Sequence, residues 1–423
     1  MDGPVDRRLK GEGMAKDTEL EGRQAPNFLT YVRKRMDTFA ERPLCGIDSL
    51  VFSWLSYARM GVSQDRACTR EGIALHELLR AEDFGHMFGT SWDPKGSRDL
   101  LFAVCASPRF REVRLTDFCF KTDRGTEEQF AAMTFRLPSG GSYVAFRGTD
   151  STIVGWKEDF NMTYLRPIPA QGEAAAYLDA IAAETDGPLY AGGHSKGGNL
   201  AVYAAAMLAP EYQGRLERVF SHDGPGFHRD FVEGAKYRGV EPLIEKTLPK
   251  SSVIGMLMTE GDRCATTVVE SDGFSLLQHN PFLWAVDVDV CSFVEADGLS
   301  ASSRFFNDTI DTWLDKYSLE ERQRFVDPLF DVIGVTGANR FADIMDDRKT
   351  AVPLMLEAAD KLDPEVRAFV KDVFLSFAKT ATIERVTGAA SGLLDTLKST
   401  AQAATQAPAI MGAPHDPEGA LDS

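Results

Sequence analysis

The stretch Leu189–Ala205, LYAGGHSKGGNLAVYAA, decides the fold that this sequence predicts. It opens with a short apolar run, passes through a glycine-rich turn and continues into an Ala- and Leu-rich segment with no helix breaker before Pro210. This order predicts a strand, a tight turn and a helix. The turn, residues 193–197 (GHSKG), has the pattern G-x-S-x-G, in which a serine hydroxyl stands exposed at the end of a sheet strand. We therefore expect Ser195 to be a catalytic nucleophile.

The five-residue pattern by itself is common, because glycine and serine are frequent in this chain. A plain glycine turn is the alternative interpretation. The predicted strand before the turn and the predicted helix after it favour a nucleophile elbow, since that structure requires both flanks.

Length and charge limit the kinds of protein that this chain can be. Its 423 residues, 43% of them hydrophobic and 26% charged, are typical of a folded globular protein. The formal net charge of -17 argues against broad nucleic-acid binding and against adsorption to an anionic membrane by charge. Any peripheral contact with lipid would have to be apolar. The sequence contains no cofactor-binding or metal-binding motif.

The N-terminal sequence and the cysteines indicate a cytoplasmic protein. Residues 1–25 are charged and poor in apolar residues, so we expect them to be disordered, and they lack the apolar core of a signal peptide. No run of about eighteen apolar residues occurs, so no transmembrane segment is expected. The six cysteines are scattered without a C-x-x-C pair, which favours free thiols in a reducing compartment.

Alternating strands and helices on both sides of the elbow predict an α/β fold. The expected strands are residues 113–121, 129–137, 142–147, 217–222 and the apolar run 251–258 (SSVIGMLM), with a crossover helix over residues 172–184. Because a strand, a helix and a strand in succession give a parallel pair, we predict an α/β-hydrolase fold with a doubly wound, mostly parallel sheet. N-terminal helices precede the sheet and a helical C-terminal extension follows it.

The predicted α/β-hydrolase domain spans residues 26–298 and includes the amphipathic N-terminal helices. Residues 299–400 form the helical extension, whose role and protein partner the sequence leaves open. Residues 401–423 are rich in Ala, Gly, Pro and Gln and are expected to be a disordered tail. Within the domain, residues 226–249 are either a lid over the serine or an ordinary surface excursion.

A nucleophilic serine needs a histidine as general base and an acid that orients this histidine. In α/β hydrolases the acid and then the histidine follow the serine along the chain, which favours His279 over His222 and His228. Asp262 comes shortly after the apolar run 251–258 and is the expected acid. Asp223, directly after the strand predicted at residues 217–222, is the alternative acid.

Several separate blocks of sequence resemble a single family. They are FRGTDSTIVGWKEDFNMTY at residues 146–164, the elbow, HDGPGF at residues 222–227, PKSSVIGMLM at residues 249–258, VVES at residues 268–271 and QHNPFLWAV at residues 278–286. Together they resemble the Mbeg1-like bacterial proteins, a family that is similar in turn to the class 3 lipases of the α/β-hydrolase superfamily. The resemblance covers about residues 26–295 and implies the fold predicted above.

The resemblance also implies an oxyanion hole and a triad. The lipase turn R-G-[ST] falls on residues 147–149, so the backbone N–H of Thr149 is one expected oxyanion donor and that of Lys196 the other. The lipase aspartate falls on Asp262 and the lipase histidine on His279. Lys196 stands where lipases commonly have an apolar residue, and its charge beside the pocket would leave room for a substrate with a polar or anionic head.

The sequence therefore predicts a cytoplasmic serine hydrolase that cleaves a small-molecule or lipid acyl ester. A second hypothesis is a catalytically inert protein with the same fold, which acts by binding a partner through its C-terminal helices. A third keeps the triad and changes the bond to a thioester or an amide. No residue in the sequence separates these three.

Overall fold

The computed structural model describes residues 25–370, apart from residues 62, 90, 124, 151, 259, 260, 262, 274, 302, 305, 306, 309–313, 315 and 369. The N-terminus up to residue 24 and the predicted tail therefore lie outside the described residues. The same holds for Asp262, the acid expected from the sequence.

An eight-stranded sheet lies at the centre of the fold, and its strands are neighbours in the order in which they occur in the chain. They are β1 (Ile73–Ala74), β2 (Arg114–Asp123), β3 (Glu128–Arg136), β4 (Ser142–Phe146), β5 (Leu189–His194), β6 (Leu216–His222), β7 (Ile244–Pro249) and β8 (Ala265–Val269). Strands β1 to β4 pair antiparallel, and β4 to β8 pair parallel. A small antiparallel ribbon, β9 (Val286–Asp287) with β10 (Ser292–Phe293), follows the sheet.

Helices flank the sheet and precede and follow it in the chain. The described α-helices are α1 (Phe28–Lys34), α2 (Gly46–Leu55), α3 (Gln64–Ala67), α4 (Phe84–Met87), α5 (Pro94–Ala106), α6 (Ile153–Asn161), α7 (Pro169–Glu184), α8 (Lys196–Met207), α9 (Pro210–Gln213), α10 (Arg229–Val232), α11 (Ala235–Val240), α12 (Leu319–Gly334), α13 (Phe341–Asp346) and α14 (Arg348–Ala359). Short 3-10 turns lie at Leu75–Leu78, Ala81–Asp83, Glu241–Leu243, Ile254–Met256, Ser275–His279 and Pro281–Leu283. A mostly parallel sheet with these helices confirms the predicted α/β class.

Two apolar clusters cover the two faces of the sheet. In one, Phe52 of α2 stacks on Phe135 of β3 with ring centroids 4.5 Å apart. In the other, Leu178 of α7 and Leu200 of α8 are fully buried. Because both faces are covered, every residue of β4, an interior strand that pairs antiparallel with β3 and parallel with β5, is buried.

The sequence predicted the centre of this sheet correctly. The elbow strand, the elbow helix and the crossover helix are observed as β5, α8 and α7, and β4 pairs parallel with β5 as expected. The three strands predicted before the crossover are β2, β3 and β4.

The prediction of a strand over residues 251–258 is wrong. A 3-10 turn at Ile254–Met256 lies there, and the strands on either side are β7 and β8. The run is apolar because it forms a loop packed at the edge of the sheet, where Val253 is buried. The true strand β7 has the sequence IEKTLP, and its charged residues are not typical of a buried strand. The Lys246 side chain is nevertheless buried and donates to the Gly255 carbonyl at 2.7 Å.

Residues 226–249 do not form a lid as a whole. Their second part is strand β7, which pairs with both β6 and β8. In the first part, Phe227, Tyr237 and Val240 are buried in the cluster that also holds α7 and α8. The segment is therefore largely a constituent of the core.

The C-terminal helices pack on α6, the helix that follows β4. Phe330 of α12 lies edge-on to Phe160 of α6 with ring centroids 5.6 Å apart. The backbone N–H of Ile153 donates to the Asn339 carbonyl at 2.9 Å, which fixes the start of α6. The capping box predicted at the start of α12 is confirmed, because Ser318 and Glu321 exchange hydrogen bonds there.

No helix in the described part of the chain combines the length and apolar character needed to cross a membrane. None of the six cysteines forms a disulfide, as the sequence predicted.

Candidate active site

Ser195 stands between β5 and α8 in a strained backbone conformation, with φ 59° and ψ -134°. A positive φ is unusual for a residue with a side chain and persists only where its surroundings enforce it. Two backbone hydrogen bonds do so here. The Ser195 N–H donates to the His222 carbonyl at 2.9 Å, and the Gly198 N–H donates to the Ser195 carbonyl at 2.9 Å. This is the conformation expected of a nucleophile elbow.

The two glycines of the pattern are required by the close approach of three backbones. A methyl group at Gly193 would lie 2.2 Å from the carbonyl carbon of Gly197. One at Gly197 would lie 2.1 Å from the carbonyl oxygen of Phe146 in β4. A side chain at either position would separate strand β5 from the elbow helix or from β4.

The structure brings His279 to the elbow and joins it to Asp223. The Nδ1 atom of His279 lies 2.6 Å from Oδ2 of Asp223. The imidazole ring of His279 lies against that of His194, the residue before Ser195, with ring centroids 4.4 Å apart. Since Ser195 and Asp223 follow the neighbouring parallel strands β5 and β6, they share one edge of the sheet.

Asp223 is held rigidly, with one carboxylate oxygen facing His279. The residue is fully buried, and its Oδ1 accepts hydrogen bonds from the Ser252 hydroxyl at 2.5 Å and the Gly255 N–H at 3.1 Å. A buried carboxylate needs such donors to offset its lost hydration. The loop mistaken for a strand in the sequence thus provides the donors that orient this acid.

The structure favours Asp223 over Asp262 as the partner of His279. Asp262 lies outside the described residues, and the reason for choosing it has gone, because no strand ends shortly before it. Strand β7 ends at Pro249, and β8 begins only after Asp262, at Ala265. The alternative acid of the sequence analysis is the residue that contacts the histidine.

A buried histidine links the elbow to the backbone of His279. The Nε2–H of His194 donates to the His279 carbonyl at 2.9 Å, and Nδ1 lies 3.0 Å from the Tyr57 hydroxyl. A carbonyl only accepts, so in the neutral ring Nε2 carries the proton and Nδ1 accepts from Tyr57. Burial, reinforced by His279, holds the pKa of His194 well below its ordinary value. His194 therefore stays neutral and fixes the main chain at His279.

The two histidines rejected as bases have structural positions. His222 is fully buried, its Nε2 lies 2.9 Å from the Ser49 hydroxyl, and burial lowers its pKa to about 3. His228 donates from Nε2 to the Met162 carbonyl at 2.9 Å. Neither contacts a described carboxylate in the way that His279 does.

Thr149 and Lys196, whose N–H groups the resemblance implied as oxyanion donors, follow the neighbouring parallel strands β4 and β5. Thr149 follows β4, and its carbonyl accepts from the Trp92 indole N–H at 3.0 Å. Lys196 is the first residue of α8, where a backbone N–H has no partner within the helix. No described residue accepts a hydrogen bond from either backbone N–H. Both are therefore available to an oxyanion.

The charge of Lys196 does not face the pocket. Its side chain is 1% exposed, and its Nζ lies 2.7 Å from Oε2 of Glu158 and 3.1 Å from the Gln129 carbonyl. The expectation that this lysine would leave room for an anionic head is wrong, because Glu158 neutralises it in the interior.

A second carboxylate, Asp159, lies beside the oxyanion turn. The Thr149 hydroxyl donates to Asp159 Oδ1 at 2.6 Å, and the Lys196 Nζ lies 3.8 Å from the same oxygen. Burial raises the pKa of Asp159 to about 6, although the Lys196 ammonium and the Thr149 hydroxyl act in the opposite direction. Helix α6 thus contacts both proposed oxyanion residues through Glu158 and Asp159.

Sequence reasoning missed four residues of this site. Glu158 and Asp159 lie in the block of residues 146–164 that carried the resemblance. The available sequence signal was two adjacent acids flanked by aromatic residues. Trp92 lies in a Gly- and Pro-rich loop. A tryptophan in such a loop was the only sequence signal for this residue, and the structure shows it exposed. Tyr57 gave no signal, since an aromatic residue at the end of an apolar helix is usually core.

The protein is of the α/β class. A strained serine turn lies at the carboxyl ends of its parallel strands, and a histidine–carboxylate pair lies beside that turn. The profile of the Mbeg1-like family matches residues 104–331, more than half of the chain. The chain therefore belongs to the Mbeg1-like family. The match runs from α5 through the whole parallel sheet and into α12.

One solved structure, titled "Rhizomucor miehei lipase propeptide complex, native", is similar at 16% sequence identity and a TM-score of 0.33. The similarity covers 58% of this chain and 80% of that one. A TM-score this low supports no conclusion about this protein. No match was found among the curated proteins.

Proposed function

We propose that this protein is a serine hydrolase that cleaves acyl esters, with Ser195 as nucleophile, His279 as general base and Asp223 as the orienting acid. The observation that carries the proposal is the 2.6 Å contact between His279 Nδ1 and Asp223 Oδ2 beside the strained serine. A buried carboxylate bonded to Nδ1 leaves Nε2 free to accept a proton, which is what a serine hydrolase requires.

In the first half of the reaction, Nε2 of His279 takes the proton of the Ser195 hydroxyl as Oγ bonds to the ester carbonyl carbon. The bond to the leaving alcohol then breaks, and the alcohol departs with the proton from His279. Asp223 holds the imidazole in the required tautomer and stabilises the imidazolium. The product of this half is an acyl-serine.

In the second half, water gives a proton to His279 and attacks the acyl carbon. The bond to Ser195 Oγ breaks, the serine recovers the proton and the free acid leaves. In both halves the N–H groups of Thr149 and Lys196 would bind the negative oxygen of the tetrahedral intermediate. One such donor is typically worth about 100- to 1,000-fold in turnover.

A fluorophosphonate probe tests the nucleophile directly. The wild-type protein should be labelled at Ser195, and a Ser195→Ala variant should not be labelled. Equal labelling of both proteins, or labelling of neither, would contradict the proposal. Hydrolysis of matched 4-nitrophenyl esters, thioesters and anilides by the unlabelled wild-type protein, with Ser195→Ala as the blank, then identifies the bond, and an ester is the expected substrate.

A further inference from the structure

Helix α6 places a partly exposed carboxylate, that of Asp159, beside the proposed oxyanion turn. The Asp159 side chain is 24% exposed, and its Oδ1 is bonded to the Thr149 hydroxyl. No described residue donates a hydrogen bond to its Oδ2. A negative charge with one free oxygen therefore stands next to the oxyanion turn.

Two tryptophans lie at the same place. Trp92 is 50% exposed, and its indole N–H is bonded to the Thr149 carbonyl. Trp156 packs edge-on against Trp92, with ring centroids 6.1 Å apart and an angle of 77° between the rings. Trp156 precedes Asp159 by three residues on α6, so the two side chains lie on the same side of that helix. Trp92 and Asp159 thus both contact Thr149, and Trp156 flanks them.

The charges around the serine add to a negative total. Three cationic side chains, those of Lys196, Arg59 and Arg147, stand against four carboxylates, those of Glu158, Asp150, Asp159 and Asp223. The chain as a whole carries a formal charge of -17. Such a field attracts cations and repels carboxylate and phosphate groups.

We propose that the site selects esters that carry an ammonium group within a few bonds of the scissile carbonyl. The ammonium would lie between the Asp159 carboxylate and the exposed ring of Trp92, since aromatic rings attract quaternary ammonium and a carboxylate supplies the opposite charge. This inference rests on the proposed esterase function and names its substrate class. Lipids with an anionic head would be poor substrates.

Isosteric pairs of esters measure this selectivity. Choline butyrate and 3,3-dimethylbutyl butyrate differ only by nitrogen or carbon at the branched centre of the alcohol. The 4-nitrophenyl esters of 4-(trimethylammonio)butyrate and 5,5-dimethylhexanoate differ in the same way on the acyl side. We expect the cationic member of at least one pair to have a kcat/KM about tenfold higher or more. The pair that responds shows which side of the ester holds the ammonium.

Variants assign the selectivity to its residues. In Asp159→Asn the charge is lost and an oxygen remains to accept from Thr149, so the ratio of kcat/KM within the responding pair should fall to about one. Trp92→Leu should lower the same ratio. Phe102→Leu, at an exposed aromatic residue of α5, is the matched control and should leave the ratio unchanged.

The outcomes separate the two proposals. If wild type cleaves the neutral esters and Ser195→Ala does not, the esterase function stands; a ratio near one in both pairs, or a ratio that Asp159→Asn leaves unchanged, then overturns the ammonium inference alone. If no ester is cleaved and the fluorophosphonate does not label Ser195, both proposals fall together.

Discussion

His279 and Asp223 meet at the carboxyl edge of the sheet, with Nδ1 of the histidine 2.6 Å from Oδ2 of the aspartate. The aspartate belongs to the turn after β6, and the histidine ends a 3-10 turn beyond β8. Only the folded sheet brings these two residues together. Their contact favours Asp223 over Asp262 as the acid of the proposed triad.

Asp223→Asn should lower kcat by about 10,000-fold, because the amide no longer holds the histidine tautomer that frees Nε2. Asp262→Asn is the matched control and should keep wild-type kcat. Steady-state hydrolysis of a 4-nitrophenyl ester, with circular dichroism to verify folding, measures both. The reverse result, with Asp262→Asn inactive and Asp223→Asn active, would return the acid role to Asp262.

Lys196→Met should destabilise the protein by about 3–5 kcal/mol, because it leaves the Glu158 carboxylate buried without its counterion. Lys236→Met, at an exposed lysine of α11, should change stability by less than about 0.5 kcal/mol. Urea unfolding followed by tryptophan fluorescence gives both values. Similar midpoints for the two variants would mean that the Lys196–Glu158 pair is not buried as described.

Preference for a cationic ester should rise with pH through about 6, where Asp159 ionises. Burial raises this pKa above the ordinary value, so the carboxyl is neutral below the transition and charged above it. The ratio compares two esters of the same shape at one pH, so effects on the chemical step that are common to both cancel. The ratio measured from pH 5 to pH 8 tests this, and Asp159→Asn should give a flat profile.

The raised pKa of Asp159 also predicts that the stability of the protein depends on pH. The folded protein binds the Asp159 proton more tightly than the unfolded chain, so the stabilisation is complete below the ordinary pKa of 3.8 and is lost as pH rises through about 6. Asp159→Asn should therefore lose less stability than wild type between pH 4 and pH 7. Equal losses in urea unfolding at the two pH values would contradict the raised pKa.

Asp327→Asn should loosen α6, because Asp327 accepts a hydrogen bond from Tyr164 at 3.1 Å and lies 3.4 Å from the Lys157 ammonium. Amide hydrogen exchange should become faster over residues 153–161 and stay unchanged in α7. Asp331→Asn, at an exposed position of the same helix α12, is the control. Unchanged exchange in α6 would show that the C-terminal helices do not brace it.

The elbow could be predicted because its determinants are local. A buried strand, a glycine-bounded serine and an alanine-rich helix follow one another within a single stretch of chain, and the close approach of backbones at Gly193 and Gly197 explains the residues seen there. Strands β2 to β6 were recognisable for the same reason, since apolar runs bounded by turns reflect burial that each segment experiences by itself.

Strand β7 and the role of Lys196 could not be predicted in this way. The strand contains Glu245 and Lys246, and the Gly255 carbonyl, supplied by a loop further along the chain, accepts a hydrogen bond from the buried Lys246 side chain. Lys196 looks like a charge beside a pocket until α6 places Glu158 against it. Both cases depend on a polar partner that is distant in sequence.

The sequence by itself determined the candidate nucleophile Ser195, the candidate base His279 and the parallel pairing of β4 with β5, because each is marked by local pattern or by position along the chain. Only the tertiary structure decided which acid joins them. Asp223 and Asp262 each come after a segment with the pattern of a strand, residues 217–222 and 251–258, and local pattern cannot distinguish a strand from a packed loop. The contact with His279 depends on the pairing of β6 with β7 and on the loop that turns its donors toward Asp223.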